Sequence, residues 1–400
     1  MVIRRTLLLM TVALLAACGD GSAGENEGGL IGVVPGSEQT TTTAIQGDDS
    51  SESTVESDGC PPNELCEMLV ELGEIPLEVD VASLTLSSAD ALWVVSSDPG
   101  SLIEVDLTAR TVLRTLSVEN GSVDLAVEDG ELWVVVNEFG SGRLLRLDAE
   151  LGELVAEIGS EISGGPRSVA LGGGAVWTVL DGYGRVGHVD PATHELTVIG
   201  DGGSEVGGAV ETPIVFAHDL VWVVDASAGS VKRVDPASEA IVDIIDELGR
   251  RTVEQSDVTS ILARGPLGLA VVPDGVWVLS ETSSEEEGTN VIRGALFLLA
   301  ADTGEIREQI DLLSGPAFGR PGLAVREGAA WYIDGANGQL VRVDLETGRQ
   351  TFLRTPGFGA LATALLAAEG VIYFGTEGGF DNPGAVYIVD AEAAAISSTR

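Results

Sequence analysis

The chain has 400 residues and a formal net charge of −42, with 63 Asp and Glu against 21 Lys and Arg. A surface of that sign repels nucleic acid, so partners of that class are not expected. The only Lys is Lys232, a usage that points to a GC-rich genome.

In chain order, the first element is MVIRRTLLLMTVALLAAC: Arg4 and Arg5, an apolar core from Leu7 to Leu15, then small residues ending at Cys18. The run is too short for a spanning helix and reads as an export signal. Leu15-Ala16-Ala17-Cys18 resembles a bacterial lipobox. That resemblance implies cleavage to leave a signal peptide of residues 1–17 and diacylglycerol on Cys18, placing the protein on the extracytoplasmic face of the cell membrane through a lipid anchor. An uncleaved anchor or an ordinary secretory signal is the alternative.

Residues 19–59 hold nine acidic and no basic residues, including the run Thr40 to Thr43. Such a segment lacks the apolar surface to fold, and as a flexible linker of 41 residues it would reach about 35 Å. With leader and linker set aside, −35 remains on residues 60–400.

Cys60 and Cys66 frame Pro-Pro-Asn-Glu-Leu, and with Cys18 lipidated these two are left to form a disulfide outside the cytoplasm. With no His or third thiol near them, a metal site is not expected there. Within this lead-in of residues 60–81, Asn63 to Leu72 reads as a short amphipathic helix. The run from Pro76 to Val81 has strand character and offers a way to close a ring by pairing with the last repeat.

From residue 82 to 400 one unit recurs. LVWVVDASAGSVKRVDP from Leu220 has close copies at Leu92, Leu132, Val176 and Trp331, and looser ones at Val276 and Ile372. The anchor aromatics are Trp93, Trp133, Trp177, Trp222, Trp277, Trp331 and Tyr373, which takes in every Trp of the chain. Each copy reads as strand, polar turn, strand, and a hairpin precedes it, as in LAVEDGELWVV from Leu125. A fourth apolar run follows, as in TVLRTLSV from Thr111. Four short antiparallel strands per repeat predict an all-β, seven-bladed β-propeller.

Burying one Trp contributes roughly 4–6 kcal/mol of gross apolar stabilisation, so the anchor series reads as packing between blades. The Asp series (Asp106, Asp148, Asp190, Asp235, Asp302, Asp344 and Asp390) ends strands before turn residues and fits Asx-type turns better than metal ligation.

In a propeller, loops between second and third strands share a face with loops passing between blades, and insertions there build binding surfaces. The longest insertions are Asp246 to Pro266, before the fifth blade, and Glu281 to Arg293, inside it. They bring Arg250, Arg251 and Arg293. A second candidate is a ring of guanidiniums at the channel mouth, from Arg167, Arg264 and Arg320, each beside the start of an innermost strand; together they would hold an anionic group. Internal salt bridging is the competing reading.

The pattern LWVV, turn, GxLxRVDPxTG resembles the YVTN and NHL-like propellers, and especially the bacterial propellers grouped with streptogramin B lyase. Membership of the lyase group would imply a magnesium-assisted elimination using His and Glu at the channel mouth. The three histidines here do not fit that role: His188 takes the place that Arg146, Arg233 and Arg342 hold in other repeats, while His194 and His218 fall in turns. No Gly-x-Ser-x-Gly elbow, quinone marker or phosphate loop is present. The sequence thus predicts a binding platform for a protein or an anionic small molecule, with no cofactor, metal or catalytic residue assigned. A metal-assisted lyase or hydrolase is the alternative.

Overall fold

The computed structural model describes residues 66–68, 71–138, 141–160, 165–180, 185–200, 213–225, 228–249, 251–255, 258–286, 289–315, 322–334, 339–354, 362–368, 370–376 and 384–391. Cys18, the acidic linker and Cys60 lie outside these residues, as do Arg250 and Arg320.

Seven four-stranded antiparallel sheets make a propeller ring. Blade 1 runs Ser83–Ser88, Ala91–Ser97, Gly100–Asp106, Thr111–Ser117, and blade 2 Ser122–Glu128, Glu131–Glu138, Ser141–Asp148, Leu154–Ile158. Blade 3 is Pro166–Gly172, Ala175–Leu180, Arg185–Val189, Leu196–Ile199, and blade 4 Ile214–Ala217, Leu220–Asp225, Ser230–Asp235, Ala240–Ile245. Blade 5 is Gly265–Val272, Gly275–Glu286, Thr289–Ala300, Ile306–Asp311, and blade 6 Leu323–Arg326, Ala329–Asp334, Gln339–Asp344, Gln350–Arg354. Blade 7 has Ala362–Ala368, Val371–Thr376 and Ala385–Asp390, and takes its fourth strand, Glu71–Pro76, from the other side of the ring in sequence. First strands of successive blades lie beside one another, and that of blade 7 returns to that of blade 1.

Local chemistry sets these elements. The hairpins between first and second strands turn on two left-handed residues in four blades: Asp129-Gly130, Gly173-Gly174, His218-Asp219 and Glu327-Gly328. Both central residues at positive φ give the turn whose twist matches the flanking strands. The turns between third and fourth strands begin at the Asp series. Asp106 Oδ1 accepts from Ala109 N at 2.8 Å, Asp148 Oδ1 from Glu150 N and Leu151 N at 2.8 Å, and Asp344 Oδ1 from Thr347 N at 2.9 Å.

The core is divided into seven apolar clusters, each spanning one seam between neighbouring blades. Every anchor aromatic lies in one of them, and none is more than 6% exposed. Second strands are buried on both faces, as Leu92–Val95 and Val221–Val224 illustrate, which is why they read as continuous apolar runs. Outer strands carry exposed apolar residues, among them Leu113, Val155 and Ile244.

The lead-in differs from its expected form. Cys66–Met68 is a strand lying parallel to Phe352–Arg354 at the edge of blade 6, not part of a helix. Glu71–Pro76 pairs antiparallel with Ala385–Val389, so the closing strand ends at Pro76 and overlaps the expected run from Pro76 to Val81 only at that residue. Residues beyond Pro76 make single bonds to blade 7, Leu77 N to Gly384 O and Val81 N to Thr376 O. Edge pairing supplies the backbone partners that an isolated short helix would have had to supply itself.

Candidate functional site: a paired hairpin platform and its arginines

Blade 5 departs from the repeat. Its second and third strands are 12 residues each and pair without interruption from Gly275↔Ala300 to Glu286↔Thr289. The first strand accompanies them only as far as Gly265↔Glu281, and the fourth only to Asp311↔Ala295. Beyond that, the pairs from Thr282↔Arg293 to Glu286↔Thr289 continue as a two-stranded hairpin past the rest of their sheet, about 15 Å long at roughly 3.3 Å per residue. A second hairpin, Arg251–Gln255 with Val258–Ala263, precedes blade 5, and its second strand lies against both long strands.

The base of this pair is tightly fixed. Arg264 N and Nε donate to Glu281 Oε2 at 2.7 and 2.9 Å. Ser280 Oγ donates to the carbonyl of fully buried Leu248. Gly249 has φ +95°, and a Cβ there would meet Thr282 Cγ2 at 2.5 Å, so only glycine lets the incoming chain pass so close. Ile292 on the projecting strand is 49% exposed, and Arg293 beside it is half-buried.

Among the expected arginine ring, Arg264 is held by Glu281 and Arg320 lies outside the described residues. Arg167 is the bulged residue between Pro166 and Ser168 of blade 3, a position that Val123, Leu267 and Thr363 occupy in blades 2, 5 and 7. It stands three residues before Ala170, the partner of Trp177, whereas Arg264 stands six before Ala270, the partner of Trp277. The two are therefore not in equivalent places. Arg167 Nε is buried without a hydrogen-bond partner. Arg251 is in the added hairpin, and its side chain, like that of Cys66, is not among those described.

The histidines all serve seams. His188 stacks on Trp177 with ring centroids 4.6 Å apart, and its Nδ1 is 2.7 Å from Glu239 Oε1 of blade 4. Arg146 Nη1 meets His194 Nε2 at 2.7 Å, joining blades 2 and 3. His218 Nε2 faces Val272 O and Gly275 O of blade 5 at 3.0 and 3.2 Å. None lies on a first strand.

The His188 stack is one case of a repeated device. Arg114, Arg146, Arg233 and Arg342 lie 5.2, 5.4, 5.3 and 5.8 Å over the rings of Trp93, Trp133, Trp222 and Trp331. Turn hydrogen bonds, the largest from Thr347, hold the Asp344 carboxyl below the usual carboxylate range, and those from Ala192 and Ser238 do the same for Asp190 and Asp235.

Two further arrangements escaped the sequence reading. Asp124 joins three first strands: its Oδ1 accepts from Ser83 Oγ at 2.8 Å and its Oδ2 from Val169 N at 3.0 Å. Asp225, 2% exposed, pairs with Lys232 Nζ at 2.7 Å. The position three residues after the anchor is buried and polar in Ser96, Asp225, Ser280, Asp334 and Thr376. Aligning the repeats on that position would have exposed the pattern.

No family model matches the chain, and no curated protein sequence matches it. Solved structures do. Hydrazine synthase of Kuenenia stuttgartiensis superposes with a TM-score of 0.60 at 13% identity, covering 78% of this chain and 96% of that one. A catalytically inactive histidine-to-alanine variant of virginiamycin B lyase from Staphylococcus aureus, with quinupristin, gives 0.57 at 13% identity over 79% and 98%. The WD40 repeats of RRP9 give 0.55 at 7% identity over 82% and 99%. The shared property at these identities is the propeller fold.

Proposed function

We propose that this protein is an extracytoplasmic recognition platform, lipid-anchored through Cys18 and held off the membrane by the acidic linker, that binds a protein partner through the paired hairpins between blades 4 and 5. The observation that carries the reading is the projecting hairpin itself. Ring closure does not require it, its base is fixed by Arg264, Glu281 and Leu248, and its strand edges beyond Glu281 and Gly294 pair with no other described strand. A site on rigid strands with open edges suits recognition of another chain.

The lyase alternative is weaker for a stated chemical reason. The neighbouring virginiamycin B lyase is inactive when one histidine becomes alanine. Here all three histidines are committed to seams, leaving no imidazole acid or base on the channel-lining strands. Of the two described residues of the expected anion ring, Arg264 is held by Glu281 and Arg167 has a buried Nε without a hydrogen-bond partner.

The test replaces Thr282–Arg293 by an Asn-Gly turn and compares capture of envelope proteins by the two forms. Capture of a specific partner should be lost while the melting temperature stays unchanged. Undiminished capture by the trimmed form would refute the reading.

A further inference from the structure

In blades 1 to 6 the turn from third to fourth strand passes through a left-handed residue: Arg110, Gly152, His194, Glu239, Gly304 and Gly348. Left-handed backbone disfavours any residue with a side chain, and three of the six are glycine. In the turns of Gly152 and Gly304 the preceding blade supplies a cation: Arg114 Nη1 donates to Glu150 O at 2.5 Å, and Arg233 Nη1 to Ala301 O and Asp302 O at 3.2 and 3.1 Å. The residues with side chains reach back across the seam themselves. His194 Nε2 lies 2.7 Å from Arg146 Nη1, and Glu239 Oε1 lies 2.7 Å from His188 Nδ1.

Arg110 is the third of these, and it meets the closing strand. Gly73 on that strand pairs with Ile388, which pairs with Tyr373, the anchor of blade 7. In blade 1 the same succession runs from Trp93 through Glu104 to Arg114. Gly73 therefore stands where a fourth strand can carry the cation of its seam, and neither it nor Ile388 is charged. The space is filled from the opposite side: a Cβ on Gly73 would stand 2.5 Å from Arg110 Nη1 and 3.1 Å from its Cζ. Burial raises the pKa of the Tyr373 hydroxyl and the charge of Arg110 acts against that shift, so the guanidinium is near the anchor ring as well. Ile75 and Leu77, just beyond Gly73, share an apolar cluster with Leu107 at the start of the same turn.

We propose that Arg110 is the latch of the ring: its guanidinium fills the space over Gly73 and holds the strand Glu71–Pro76 against blade 1, so that the closing seam is clamped from the turn and not from the strand. The left-handed backbone at Arg110 is tolerated for the sake of that contact. Opening of the ring begins with withdrawal of this one side chain.

The experiment exchanges the two residues in the full-length protein. Arg110→Gly should lower Tm by about 2–4 °C although it relieves left-handed strain, and Gly73→Arg, which sets two guanidiniums in one space, should lower it at least as far. The double exchange gives this seam the arrangement of Arg114 with Gly152, and should return Tm to within about 1 °C of the intact protein. Amide hydrogen exchange separates a latch from a general loss of stability. Arg110→Gly should speed exchange in Glu71–Pro76 about tenfold and leave Leu154–Ile158, the fourth strand of blade 2, unchanged. If Gly73→Arg does not fold, Gly73→Ala takes its place; it should lower Tm beside Arg110 and not beside Arg110→Gly. A double exchange no more stable than Arg110→Gly alone would overturn the latch, as would equal acceleration of exchange in both strands.

Discussion

A cation resting on a buried indole ring contributes about 0.5–2 kcal/mol, and here Arg114, Arg146 and Arg233 also reach a turn of the neighbouring blade. Gly304 shows how tightly that contact is set. Its φ is +74°, and a Cβ would stand 3.1 Å from Arg233 Cζ and 2.6 Å from Asp243 Oδ2. Gly174 has φ +78° with nothing within 4 Å of a Cβ. Gly174→Ala should therefore cost about 1 kcal/mol of backbone strain. Gly304→Ala should cost about 2–3 kcal/mol by displacing Arg233 from Trp222 as well, a difference that denaturant unfolding measures. Asp344 makes a second residue-scale prediction. Its folded carboxyl titrates below the unfolded value, so its contribution is present above the ordinary carboxylate range and is lost as pH falls through the folded pKa. Thr347→Val should move that titration upward, as read by carboxyl NMR; an unchanged titration would mean that Thr347 is not the cause. The alignment of His188 with Arg146, Arg233 and Arg342 was visible in sequence. Its partner Glu239, 51 residues away, was not, because the contact exists only once two blades pack.

Strands were legible wherever burial on both faces forced apolar runs and turn residues bounded them. The lead-in misled because an apolar pattern as short as Leu65, Cys66, Met68, Leu69 suits helix and strand alike, and edge pairing with blades 6 and 7 decided the outcome. The inserted segments were legible as interruptions of the repeat and as occupants of the blade 4 to 5 region. Their continuation as paired strands was not, since Thr-Ser-Ser-Glu-Glu-Glu reads locally as loop, and cross-strand pairing with Thr-Asn-Val-Ile-Arg is what extends it. The arginine ring rested on a shared sequence neighbourhood, whereas register separates Arg167 from Arg264 by three positions relative to the anchor. Loss of the hairpin beyond Glu281 should leave stability unchanged for the same reason that it suits recognition: none of its described side chains belongs to the seam clusters.

At the scale of the whole molecule, a ring of seven seam clusters, closed by a strand from before the first blade, carries among the described residues a hairpin that runs past its own sheet. A leader ending in Leu-Ala-Ala-Cys and an acidic linker give that feature an address on our reading. Cys18→Ser should move the protein from the membrane fraction to the soluble extracytoplasmic fraction; retention at the membrane would contradict lipid anchoring at that residue. The most direct test of the central claim is photo-crosslinking in intact cells. A crosslinkable residue at exposed Ile292 is compared with one at Leu113, 56% exposed on the outer strand of blade 1. Recognition by the hairpins predicts a discrete covalent adduct from position 292 and none from position 113. No adduct at 292, or the same adduct from both positions, would contradict it.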